Sequence, residues 1–320
     1  MRNIVVLTTI IMIASGLSRA LADTYPSRVV KIIVPIAAGG PIDTVARTVA
    51  ETLSDRLKQP FIVENRPGAG GNIGIQAATS AEPDGYTLLL AAGSMLTINP
   101  SLYNKPPFNP DTDLQPLSTL TVSSQMLTVH PSLPVNSLRD FIAYARKEPL
   151  TYVTSGYGSP SHLAMEYLRL LADFPAIPVP YRGLSPLMID LLSGQAKAGF
   201  VATSGVIEHL RDGKLHGIGI SSVQRSRLLK NIPTIAESGY PEFEFDSYLL
   251  MLAPSGIPEP IAALLEREIR RAVKLPEFEA RNIARDIISV GNSSVESKAW
   301  ISKETKRWAK VVKDAKMHVD

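Results

Sequence analysis

Val34–Arg47 reads VPIAAGGPIDTVAR. An apolar run stops at Gly39-Gly40-Pro41, and an amphipathic pattern begins at once, with Ile42, Val45, Ala46, Val49, Leu53 and Leu57 at helical spacing through Lys58. Strand, glycine turn and helix in this order make a βα unit. Proline fits the first helical turn, because its missing N–H would have no intrahelical partner there. Until Arg47, the only ionisable side chain in the junction is Asp43. What it does offer is main chain. The first N–H groups of a helix lack acceptors, and the helix dipole makes that end attractive to anions. Glycine lets a ligand approach that backbone closely. A plain tight turn that binds nothing has the same sequence signature.

The design recurs downstream. VTSGYGSPSHLAMEYLRLLA, Val153–Ala172, aligns without a gap across the turn, with Gly158-Ser159-Pro160 matching Gly39-Gly40-Pro41. Asp43 and His162 both fall two places after the proline. Ser159 suits a helix cap, and Ser161 and His162 are further polar groups beside the same turn. A third glycine-rich stretch, Arg66–Gly74, is no dinucleotide fingerprint, since Ile73 stands where the third glycine belongs. It lacks the Lys-Ser/Thr pair of a P-loop as well, and is expected to open a helix at Asn72 and lend donors to the same cleft.

Around these junctions, strands are expected at Val29–Ile36, Phe61–Glu64, Tyr86–Ala92, Leu117–Val122, Met126–His130, Thr151–Thr154, Ile177–Val179, Ala198–Ala202, Leu215–Ser221 and Ser247–Ala253. Helical patterns alternate with many of them, which argues for an α/β fold with a largely parallel sheet. Asn99–Pro116, rich in Pro, Asn and Asp, reads as a surface loop, and Ser137-Leu-Arg-Asp140 as a capping box. Three helical stretches close the chain: Glu259–Lys274, Pro276–Arg285 and Ser294–Lys316.

Composition bounds the function. The chain has 320 residues, 45% hydrophobic and 20% charged, enough for about two domains without staples. Arg2, the apolar Ile4–Ala14 and Ala20-Leu21-Ala22 form a secretory leader ending at residue 22, so the mature protein is expected in the periplasm. With no cysteine there is no disulfide, thiolate metal site or lipidated cysteine. Removing Arg2 and Arg19 from 33 Lys/Arg leaves 31 against 30 Asp/Glu, and the cations are dispersed, which argues against nucleic acid as a partner. No metal motif appears, the five histidines are scattered, and no G-x-S-x-G surrounds Ser159 or Ser161. An exported hydrolase or isomerase using His162 with Ser159 or Ser161 remains the alternative from the enzyme class. A regulatory partner of a sensor that binds no solute is another.

The segments YPSRVVKIIVP, GGPIDTVAR, VENRPGAGGNIG, PDGYTLLL, SHL within GSPSHLAMEY, VPYRG followed by DLLSGQ, PTIAESGYP and WAKVVKDA carry a resemblance from about Tyr25 to the C-terminus. The chain resembles the Bug family, extracytoplasmic solute-binding proteins associated with tripartite tricarboxylate transporters. The resemblance implies a type II periplasmic-binding-protein fold, with two Rossmann-like lobes around a ligand cleft. The expected division is residues 23–122 plus 250–320 for lobe 1 and 123–249 for lobe 2. It implies a small carboxylate as ligand, no cofactor and no metal, and a monomer that meets transporter membrane subunits or a sensor. By resemblance, Ile36, Ala38, Gly39, Gly40 and Asp43 form the first grip, and Ser155, Gly158, Ser159 and His162 the second. Tyr181 and Gly183 lie nearby, with Asn72, Ser94 and Ala202 as wall residues. The chain departs from the family pattern at Ile36 and Ala38, at Phe200-Val201-Ala202-Thr203 where an acidic residue is usual, at Tyr248 where tryptophan is usual, and in the short turn Glu148–Thr151. Losing the acid favours an apolar or fully anionic ligand over one bearing an amino group.

Overall fold

The computed structural model of the protein describes residues 25–314 and Met317; the expected leader, 1–22, and His318 lie outside them. In chain order the elements are β1 (Val30–Val34), α1 (Pro41–Leu57), β2 (Phe61–Asn65), α2 (Asn72–Thr79), β3 (Thr87–Ala92), α3 (Gly93–Thr97), α4 (Asn99–Leu102), α5 (Pro110–Asp113), β4 (Leu114–Val129) and α6 (Leu138–Lys147). Then follow β5 (Thr151–Thr154), α7 (Pro160–Ala172), β6 (Ile177–Pro180), α8 (Leu184–Ser193), β7 (Ala198–Ala202), α9 (Ile207–Arg211) and β8 (His216–Ile220). The chain continues through β9 (Asp246–Pro254), α10 (Glu259–Val273), α11 (Pro276–Ile283), β10 (Ile287–Ser289) and α12 (Ser294–Asp314).

The sheet runs in the order β2-β1-β3-β9-β4-β7-β5-β6, with β8 and β10 also paired to β4. Two parallel sets, β2-β1-β3 and β7-β5-β6, flank the antiparallel pair β9 and β4. The largely parallel sheet expected from the βα rhythm is therefore mixed at its centre. The centre is antiparallel because β4 carries the chain from the first half into the second and β9 carries it back, so the two strands run in opposite directions.

Two further expectations are corrected. Leu117–Val122 and Met126–His130 are not two strands but parts of β4, a continuous strand of 16 residues. Its Leu114–Ser124 portion pairs with β9, and Gln125–Val129 with β7 and β8. Asn99–Pro116 is not a plain surface loop. It holds α4 and α5, buries Asn99, Leu102 and Phe108, and uses Asn109 Oδ1 to cap α5 at the Asp111 N–H. Two of the asparagines that suggested a loop are spent in this way, Asn99 on buried hydrogen bonds and Asn109 on a cap. The cap at Ser137 is present, its Oγ accepting the Asp140 N–H at 3.1 Å.

Separate apolar clusters serve the two halves. Val30, Ile32 and Val34 of β1 meet Val45, Val49 and Leu53 of α1 and Leu265 and Ile269 of α10. In the other half Leu127 and Val129 of β4 meet Phe141, Tyr152, Leu163, Phe200 and Phe243. Each such side chain contributes about 1.5–3 kcal/mol by leaving water, so each half has a core of its own. α12 belongs to both: Ile301 packs with the β3 and β9 side chains, while Trp308, Val311 and Val312 join the second cluster.

Candidate functional site

Sheet register decides where the loops lie. Ala92, at the carboxyl end of β3, pairs with Leu249 of β9, which pairs with Thr121 of β4. Ala202, at the carboxyl end of β7, pairs with Gln125 of β4. β3 runs along β4 and β7 runs against it, so both carboxyl ends arrive level with Thr121–Gln125, offset by about 13 Å along β4 at ~3.3 Å per residue. The turns after β1, β2 and β3 share one rim, and those after β5, β6 and β7 share the facing rim. Ligands of open α/β sheets bind outside the carboxyl ends of parallel strands, and here two such edges face each other over one strand.

On the first rim, Ile36–Gly40 leads from β1 into α1. Gly40 is the N-cap at φ −83°, and no side chain caps the helix. Among the described residues, the N–H groups of Gly40, Ile42 and Asp43 find no acceptor in the chain. Nothing lies within 4 Å of where a Gly39 Cβ would stand, and Gly40 would meet only Ile36 Cδ1 at 3.9 Å. Asp43 is 3% exposed, and its carboxylate is fully engaged. Oδ2 accepts the Gly39 N–H at 2.9 Å and Arg47 Nε at 2.9 Å, and Oδ1 accepts Asn65 Nδ2 at 2.9 Å. Burial pushes this carboxyl up, but the Arg47, Gly39 and Asn65 bonds outweigh it and hold the group below the usual carboxylate range.

On the second rim, Ser155–Ser159 leads from β5 into α7. Here the polar groups satisfy one another. Ser159 Oγ accepts the His162 N–H at 3.4 Å, Ser161 Oγ accepts the Ser155 N–H at 2.9 Å, and the Ser159 N–H reaches Gly156 O. Thr154 Oγ1 lies 2.9 Å from Ser159 Oγ and 3.1 Å from Ser161 Oγ. His162 Nδ1 accepts the Gly158 N–H at 3.2 Å. Its ring stacks on Tyr152 at 6.4 Å and meets Tyr157 edge-on at 5.3 Å. Burial pushes the imidazole below its ordinary value, with Glu166 opposing. Neither serine hydroxyl bonds the His162 ring, so the pairing that the enzyme alternative needs is absent from the hydrogen bonds of the described residues.

The remaining expected positions divide. Gly183, at φ +107°, precedes α8 with nothing within 4 Å of its missing side chain, so it too opens onto free space. Tyr181 donates its hydroxyl to Asp190 Oδ2 at 2.6 Å, a bond that pushes the phenol up to about 12. Ala202 ends β7 beside Thr203, whose hydroxyl is buried against Ser124. Asn72 opens α2 as expected, but it is buried and its Oδ1 accepts Asn99 Nδ2 at 2.8 Å. Ser94 starts α3 behind the rim, with its Oγ buried and unpartnered.

Sequence reading missed several supports. Asn65 and Arg47 fix Asp43, and the Asp43/Arg47 spacing of four was the available signal. Leu102 packs under the second rim, 3.2 Å from where a Gly158 Cβ would stand. Asp246, opposite Ser124 at the start of β9, lines a cavity of about 70 Å³ with Ser94, Tyr248, Trp300 and Arg307. Burial, and then Glu244, push its carboxyl up to about 7. A larger depression of about 700 Å³ lies away from both rims, between β8 and Leu228–Ile232.

Two facing lobes' worth of βα turns around an open backbone-lined rim define a solute-binding protein of the periplasmic-binding type. The comparisons narrow the class. The family described as Tripartite tricarboxylate transporter family receptor matches residues 45–317, and the chain belongs to it. Protein BugT of Bordetella pertussis is 36% identical over 296 residues, covering 92% of this chain and 91% of that one. The solved structure of R. palustris Rpa4515 with adipate superposes with a TM-score of 0.85 at 30% identity, covering 92% and 99% of the two chains. MatC from Rhodopseudomonas palustris with bound malate gives 0.83 at 29% identity, covering 90% and 100%.

Proposed function

We propose that this protein captures a small organic carboxylate between the two rims and hands it to membrane subunits of a transporter or reports it to a sensor. The observation that carries this reading is the convergence of both sets of carboxyl-end turns on Thr121–Gln125, with the Gly40, Ile42 and Asp43 N–H groups unpaired. Relatives crystallised with adipate and malate support the ligand class. The two lobes, 23–122 with 250–320 and 123–249, close about the middle of β4 and β9. The ligand contacts are the backbone of Ala38–Gly40 on one side and Ser155–Ser159 with Gly183 on the other.

Magnitudes limit what helix ends supply. Each contact is worth roughly 0.3–2 kcal/mol, whereas micromolar affinity requires about 8 kcal/mol. Direct hydrogen bonds and apolar enclosure by Ile36 and its neighbours supply the balance. With Val201 and Ala202 in place of an acid, β7 itself offers no carboxylate to meet an ammonium group, which favours an apolar or fully anionic ligand over one bearing an amino group. The protein works by binding, without turnover. It acts as an exported monomer, released from the leader after residue 22; among the described residues no helix is long and apolar enough to cross a membrane.

The test is a thermal-shift screen of the mature protein against adipate, malate and other carboxylates, with mass spectrometry of whatever co-purifies. Ligand that binds the native state raises the melting temperature. A set of carboxylates that leaves it unmoved, or turnover of any of them, overturns the reading. Tighter binding of an amino acid than of its deaminated analogue overturns the preference against an amino group.

A further inference from the structure

We infer that Asp43 and His162 are matched positioning residues, each setting its own glycine turn from beneath rather than touching the solute, and that the His162 half of this device holds only while the imidazole is neutral. Both side chains occupy the third helical position of their helix, after Pro41 and Pro160. Both accept the N–H of the residue four places back, Gly39 at 2.9 Å and Gly158 at 3.2 Å. Both glycines have left-handed φ, +89° and +73°. Both side chains are at least nine-tenths buried.

A capping box uses the third helical residue to hold the N–H of the N-cap itself. Here the bond falls one residue earlier. In the first turn that shift leaves the N-cap N–H of Gly40 without an acceptor, pointing from a loop whose shape is nonetheless fixed. In the first turn the clamp therefore separates two jobs: one N–H is spent on holding the turn, and the next is kept for a ligand; in the second, the Ser159 N–H is spent on the Gly156 carbonyl.

The two clamps differ in chemistry. A carboxylate stays an acceptor at any pH above its depressed titration. Imidazole Nδ1 accepts only when it carries no proton, and protonation turns it into a donor aimed at another donor. Around the ring stand Tyr152 from β5, Tyr157 from the turn, and Glu166 and Arg169 from α7 itself. Glu166 accepts from the Tyr152 hydroxyl and pairs with Arg169, so its charge is already engaged. Burial depresses the ring's titration below 6.5, so the second turn loosens only as pH falls through that lowered value.

The test has an arm that needs no ligand. Nitrogen-15 NMR of the mature protein should show neutral His162 with Nδ1 unprotonated, and a Gly158 amide resonance that moves with the His162 midpoint. A proton on Nδ1 of the neutral ring, or a Gly158 amide blind to the titration, overturns the proposal. The second arm is calorimetry with adipate and malate across the acid limb, and it rests on the carboxylate reading. His162→Ala should weaken binding about tenfold at neutral pH, whereas His162→Asn, which restores an uncharged acceptor, should stay within about threefold of wild type and lose the acid limb. Equal losses in both variants with the limb intact overturn the positioning role. Failure of both carboxylates to bind wild type refutes that ligand class, and the NMR arm still decides the clamp.

Discussion

At the first turn, Gly40 caps α1 with nothing but its own backbone, and among the described residues the Gly40, Ile42 and Asp43 N–H groups are left without acceptors. At the second, Ser159 caps α7 and the Ser155, Gly158, Ser159 and His162 N–H groups find acceptors within the turn, while those of Gly156, Tyr157 and Ser161 do not. The two turns match from the glycine before the cap onward, down to the clamp four residues on, although Gly156 at φ +130° aligns with Ala37, which is not left-handed. The difference teaches that similar backbone geometry at the cap does not set how much bonding capacity a turn exports. Side-chain composition does. At the cap and the third helical position the first turn leaves both N–H groups unpaired and the second spends both, so ligand bonding energy should be concentrated on the first.

The sharpest way to break this contrast is Gly40→Val. The backbone at φ −83° accepts a side chain without strain, and the new Cβ would meet only Ile36 Cδ1 at 3.9 Å. The poorer cap should cost stability by about 1 kcal/mol at most without preventing folding, while affinity for adipate should fall at least about a hundredfold, roughly 2.7 kcal/mol, by calorimetry. Unchanged affinity would remove the first turn from the site.

Asp43→Ala comes next. It strands the Gly39 N–H and removes one bond each from Asn65 Nδ2 and Arg47, which keep others, and should cost about 2 kcal/mol in urea unfolding at pH 7. The native titration of Asp43 is depressed below 3.8, so its contribution is complete above that value and disappears as pH falls through the depressed native one. Wild type and variant should therefore converge in strong acid. A gap that persists there would show that packing, not the carboxylate, holds the turn.

The smallest effects come from exchanging the caps. Ser159→Ala should cost about 1 kcal/mol, and Gly40→Ser should gain only a few tenths. The second change makes the first turn resemble the other one. It should raise the melting temperature slightly while weakening adipate, because the new hydroxyl takes an N–H the ligand needs. A Gly40→Ser protein that binds adipate more tightly would invert the comparison.

Much of this was legible in the sequence for definite reasons. Pro41 and Pro160 mark helix starts because their φ and missing N–H fit only the first turn. Ser137 and Ser159 act as the caps their chemistry suggests. The unity of β4 was hidden because Ser123-Ser124-Gln125 interrupts its apolar pattern just where its neighbours change from β9 to β7 and β8. Ser124 and Gln125 are buried there and bonded across that change, the Ser124 hydroxyl to Thr203 and the Gln125 backbone N–H to Ser221. Asn99–Pro116 misled for a related reason, since composition cannot reveal that Asn99 bonds Asn72 and the Gly70 carbonyl from inside. At the site, spacing exposed the kinship of Asp43 and His162 but not their direction. Whether a side chain reaches outward to a solute or back to its own turn depends on rotamer and packing, which no local pattern encodes.

The last helix has a consequence for how the molecule is sealed. Ile301 completes one hydrophobic cluster and Trp308, Val311 and Val312 complete another, whereas the cluster around β1, α1 and α10 takes nothing from this helix. Two interiors thus keep an open side until the end of the polypeptide docks, and a truncation ahead of Ile301 would unseal one in each hemisphere at once.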